Sequence, residues 1–193
     1  MRDVRLIFQR EAIRMSRHLS QGILFALAAL FSGLIWGQQK YPLTGSGEDA
    51  KGQYVQQHMI DVDDAPGHQI RILEIHRTYP ADKPVLVDGE RIAEAWVRSF
   101  SNYTGGIGPT WGYTTWFTEK GNKAFIETVR TSETQATDTG ARRGTYNGTS
   151  RIVGGTGRFS KIRGTLVDVA KFDTDQKTGY NFTESHGEYW FEK

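Results

Sequence analysis

From residue 54 to the C-terminus, short runs rich in aliphatic, aromatic and threonine residues alternate with clusters of Gly, Asn, Asp and Lys. Residues 54–62 form the first run, followed by QIRILEIHRTY, RIAEAWVRSFSNY, TWGYTTWFTE, AFIETVRTSE, RRGTYNGTSRIV, GTLVDVAKFD and YNFTESHGEYWFE. The segments between them include DDAPGH, KGNK, TQATDTGA and TDQKTG, and several hold the Gly or Asn that a hairpin turn needs at positive φ. The period is two residues almost throughout, and only TGRFSKI hints at a helical turn. Eight short, regularly spaced strands predict an antiparallel sandwich or a closed barrel. There is no internal repeat and no linker, so residues 54–193 read as one β-barrel domain. The polar, glycine-rich stretch 38–53 reads as a flexible lead-in.

The alternation is not clean, and that bears on function. In RIAEAWVRSF, Glu94, Trp96, Arg98 and Phe100 share one face, opposite Ala93, Ala95 and Val97. In RILEIHR, Ile72, Glu74 and His76 oppose Leu73 and Ile75. In the last run Phe182, Glu184, His186, Glu188 and Trp190 fall together. Faces mixing aromatic and ionisable side chains either line a ligand cavity or cover the outer wall, because alternate positions of a barrel strand point in and out.

The first forty residues differ from the rest. Five arginines and two acids precede the uncharged run GILFALAALFSGLIWG, which is short of the roughly 20 residues of a membrane span. Residues 1–37 therefore read as a signal peptide, with Met1 or Met15 as the start, and the protein as exported to a periplasm or secreted. The full chain carries +2; without this segment it is near neutral, so its basic pI is no sign of nucleic-acid binding. The absence of cysteine excludes disulfides, thiol chemistry and Cys-ligated zinc.

RIVGGTGRFSKIRGT, residues 151–165, matches neither a P-loop nor a dinucleotide fingerprint, and no strand–helix unit surrounds it. It reads as a turn in which Gly154, Gly155 and Gly157 permit a tight reversal, Phe159 plugs the barrel end and Gly164 restarts a strand. VGGTGRFSKIRGTL resembles the GG[ST]G-x-[FY]-x-x-x-x-G segment that precedes the seventh strand in the allene oxide cyclase and dirigent families. The resemblance implies a calycin-like, eight-stranded antiparallel barrel with an apolar cavity, often trimeric, that shapes a reactive intermediate with no metal or organic cofactor. The cavity glutamate of the cyclases has Gln57 near its place, and their cavity cysteine has no counterpart.

The chemistry-bearing candidates follow from the mixed faces. Glu74, His76, Arg98 and His186 are the candidates for proton management, and Trp96, Trp116, Glu94 and Arg98 for ligand contact. The expected function is binding of a small apolar or phenolic molecule inside the barrel, without metal or cofactor. A cofactor-free cyclase or coupling guide is the alternative, and an oligomeric module (a trimer or dimer) with a filled core is a third. An open interior onto which Glu74, His76, Arg98 and His186 converge favours the enzyme; an interior filled by Leu, Ile and Val favours the module.

Overall fold

The computed structural model describes residues 38–47, 50–136, 142–173 and 182–193; the signal peptide expected over 1–37 lies outside them. The strands are β1 (Tyr41–Ser46), β2 (Lys51–Asp61), β3 (His68–Thr78), β4 (Leu86–Val87), β5 (Glu90–Thr104), β6 (Gly108–Thr118), β7 (Lys123–Ala136), β8 (Arg142–Gly155), β9 (Ile162–Asp173) and β10 (Phe182–Phe191). All neighbours pair antiparallel in the order β1-β10-β9-β8-β7-β6-β5-β3-β2, with β4 paired to β5. β1 and β2 are consecutive in the chain, yet they occupy the two ends of this order. The side chain of Arg77 on β3 donates to Thr183 on β10, and the Gly47 amide donates to the Thr183 carbonyl. The first bond joins the two ends of the order, which curls into a barrel, and the second continues the β1–β10 ladder past Ser46. All eight expected runs are strands.

Two elements were not expected. The lead-in over 38–53 is not loose throughout: residues 41–46 pair along β10, and Leu43 is 2% exposed in the core. Polar and glycine residues fill that stretch because only alternate positions of β1 face inward. β4 is a two-residue strand tied to β5 through Asp88 and Gly89, whose φ values of 49° and 73° are those of a tight hairpin turn.

The glycine segment closes one end of the barrel. β8 ends at Gly155, one 3₁₀ turn spans Gly157–Phe159, and β9 begins at Ile162. Phe159 is fully buried and packs with Val87, Ile92, Ile126, Ile152 and Ile162. Gly157 sits at φ 56°, but Gly155 does not need the left-handed region. A Cβ on Gly155 would lie 2.2 Å from the Lys123 carbonyl oxygen and 2.8 Å from the Phe159 Cβ. Close approach, and not backbone handedness, selects glycine there. The Arg158 amide donates to Asn122 Oδ1, while Asn122 Nδ2 donates to both oxygens of the buried Glu90 carboxylate. The segment's backbone donors are thus spent on the protein itself.

Candidate functional site

The pairing registers decide which faces look inward. Leu73, Ile75 and Arg77 of β3 lie in or beside the core, as do Ala95, Ser101 and Tyr103 of β5. Their alternates face out: Glu74, His76, Glu94, Trp96, Arg98 and Phe100 occupy the outer wall. There Arg98 Nε donates to Glu74 at 2.8 Å, His76 Nε2 meets Glu94 at 2.7 Å, and the His76 ring stacks on Trp96. His186 also faces out, on β10, and its ion-pair neighbour is Glu184 at 3.9 Å. The four residues expected to manage protons therefore do not converge in the interior. Trp116 alone of the expected wall residues lines the interior, packed against the core.

The physical reason is that long amphipathic side chains cover an outer sheet face as readily as a cavity wall. Periodicity gives two faces without saying which is inside. The inward faces instead carry charges among small and aliphatic neighbours: Arg77 after Leu73 and Ile75, Arg130 after Ile126 and Thr128, Asp168 between Leu166 and Ala170. A lone ionisable residue on the more apolar of two faces was the available signal.

These charges meet. One register line runs inward-facing from Arg71 through Ser101, Thr110, Arg130, Gly148 and Asp168 to Ser185. Gly148 stands between Arg130 and Asp168, and a Cβ there would lie 2.6 Å from Arg130 Cγ. Without that Cβ, Arg130 crosses the strand and its Nη2 donates to Asp168 Oδ2 at 3.0 Å. Ser150 donates to the same oxygen, and Ser185 donates to Oδ1 at 2.6 Å. Thr128 and Ser150 share a further hydrogen bond at 2.8 Å. Asp168 is 1% exposed, and Arg130 keeps a buried Nε with no hydrogen-bond partner among the described residues.

Two voids flank the pair. The lower, of about 50 Å³, is lined by Arg77, Arg130, Asp168 and Ser185 together with Trp116, Ile126 and Leu166. The upper, about 30 Å³, lies among Tyr54, Val97, Ser99, Tyr103, Thr110 and Tyr146, with Arg130 in its floor. One water needs roughly 10–15 Å³ by this measure, so each void holds a few waters and neither is a ready-made drug-sized pocket. Chemically the chamber offers guanidinium and hydroxyl donors, aromatic and aliphatic side chains, and a carboxylate hydrogen-bonded by one guanidinium and two hydroxyls.

No family model matches the chain, and no curated protein matches it. The chain is similar to two solved structures of pterocarpan synthase dirigent proteins. PsPTS1 is 15% identical over 80% of this chain and 97% of that one, with a TM-score of 0.48. GePTS1 is 16% identical over 81% of this chain and 90% of that one, with a TM-score of 0.44.

Proposed function

We propose that this protein binds a small, mostly apolar molecule with one polar end inside its barrel. The ligand's polar end sits at Arg130 and Asp168, and its apolar body lies between Trp116 and the tyrosines at the upper void. The observation that carries this reading is the Arg130–Asp168 pair inside the barrel, its carboxylate buried and its guanidinium part-buried, with space beside it. A barrel needing only stability gains little from such a pair, since well-packed apolar residues commonly replace buried ion pairs at no cost. A ring-sized ligand enters by displacing the Tyr54, Tyr103 and Tyr146 side chains, because the voids are smaller than the ligand. A coupling guide or cyclase, the alternative reading, uses the same chamber; its acid–base group is then Asp168, and not Glu74 or His76 on the outer wall.

Filling the upper void tests the proposal. Ser99 lines that void from β5, and Ser99→Leu places an isobutyl group in the path of the apolar body. Titration with phenol or benzyl alcohol is expected to change tryptophan emission in the native chain and to leave Ser99→Leu unchanged at the same concentrations. Equal binding by both, with the variant folded by circular dichroism, contradicts an interior site.

A further inference from the structure

The two ends of the strand order are finished differently. β1 is six residues long, carries Pro42 and buries Leu43. β2, at the opposite end, is eleven residues long, and every residue in it except Gly52 is exposed. Among the described residues it pairs with β3 alone. Natural edge strands are commonly blunted by shortness, by charge or proline, or by a bulge. β2 has Lys51 at its very start and a bulge between Tyr54 and Gln56. Beyond them Gln56–Ile60 is uncharged, free of proline and in regular register with β3.

The ladder identifies the backbone groups left over. The Val62 amide donates to the His68 carbonyl, so the pairs in step with it, Ile60–Ile70 and His58–Ile72, are the hydrogen-bonded ones. Gln57, Met59 and Asp61 alternate with these, and their N–H and C=O groups point to the outer edge of β2. No partner for those groups occurs among the described residues. Their side chains do not cover the edge either. Gln57 reaches Met59 and accepts from Arg71 of β3, and Asp61 accepts from Gln69 of β3 at 2.7 Å.

We propose that this edge is where a second copy of the chain docks: the β2 strands of two copies pair antiparallel through Gln56–Asp61, and the sheet runs on from one barrel into the other. The charges at the ends of the edge choose both the occupant and its direction. Lys51 stands at the start of β2, and Asp61, Asp63 and Asp64 stand at and just beyond its end. Antiparallel pairing brings the lysine end of each copy toward the acidic end of the other, whereas parallel pairing sets like charge beside like. The edge is thus complementary to itself. Met59 and Ile60 lie on opposite faces of β2, are both more than half exposed, and gain cross-strand neighbours from the partner. Backbone groups of Gln57, Met59 and Asp61 that now meet only water acquire the hydrogen bonds of an interior strand.

Met59→Pro tests the edge selectively. It removes an N–H that points away from β3, so it deletes a bond to the partner and none within the barrel. Sedimentation of the full chain over a concentration series is expected to show a dimer, and Met59→Pro to weaken it about tenfold or more. Amide exchange at Gln57 and Asp61 should slow as the native chain is concentrated and stay fast in the variant. If Met59→Pro fails to fold, Met59→Lys brings two ammonium groups together across the pair and should cause the same loss. Three results overturn the proposal: a native chain that is monomeric throughout, association that persists in either folded variant, or slow exchange of Gln57 and Asp61 in the monomer because another segment covers the edge. Met59 lines neither interior void, so the outcome is independent of the ligand reading above.

Discussion

Asp168 and Arg130 show how geometry places single residues that periodicity leaves unplaced. Both sit on strands whose inward faces are otherwise aliphatic or hydroxylic, whereas Glu74, His76 and Arg98 stand on faces where the sequence alternation shows mixed chemistry. Sequence shows that a face is mixed; only the pairing register shows that Gly148 lets Arg130 reach across to Asp168. The pair also has a definite energetic signature. Removing one partner leaves a buried charge, which costs about 3–5 kcal/mol, whereas replacing both by apolar groups of similar size is close to neutral. Arg130→Met should destabilise the fold by about that amount in urea unfolding and Asp168→Leu by less, since the Arg130 guanidinium is part-exposed, and the double variant should recover most of the loss. The recovered double variant should no longer bind the ligand. Two singles that are as stable as the native chain would show that the pair is not buried as described.

At the scale of elements, the eight main strands were legible because their period-two runs are bounded by turn residues. β1 was not, because six residues with Pro, Thr, Gly and Ser resemble a linker until their pairing with β10 is seen. The glycine segment was legible as a turn, although the reason for Gly155 is contact with Lys123 and Phe159. The hairpin between β2 and β3 carries a device that periodicity does not reveal. His68 joins the Asp64 carboxylate through Nδ1 and Asn102 Oδ1 through Nε2 at 2.7 Å, tying the turn to β5. The hydrogen bond to Asp64, then that to Asn102, raises the His68 pKa above its ordinary value, and the same bond to His68 lowers that of Asp64. A raised folded-state pKa stabilises the folded hairpin fully below the unfolded value of about 6.5, and the contribution is lost as pH rises through the folded value. Amide exchange in the 62–68 turn, corrected for its intrinsic pH dependence, should therefore accelerate across that upper range. The imidazole resonances should titrate above 6.5 as well; a midpoint at or below it would mean that the Asp64–His68–Asn102 link does not hold in solution.

Over the whole molecule, the same register lines that organise the interior organise the outside. Ile72, Phe100, Trp111, Val129 and Val167 fall on one outward line around the barrel, all well exposed. The next outward line holds Glu74, Arg98, Glu127 and Arg151 in ion pairs, with Glu188 joined to Lys40. The two lines are two residues apart, roughly 7 Å along a strand. On this flank the apolar belt ends at a ring of ion pairs. No helix among the described residues is long and apolar enough to cross a membrane. The barrel therefore offers two distinct aromatic environments, an outer belt with Trp111 and Tyr113 and an inner chamber with Trp116 and Tyr103. The proposed ligand site is the second. A crystal grown with 4-bromophenol and measured at the bromine edge separates them directly. An anomalous peak is expected inside the barrel, between Trp116 and Tyr103. A peak confined to the outer wall beside Trp111 and Tyr113, or no peak at saturating 4-bromophenol, would contradict it.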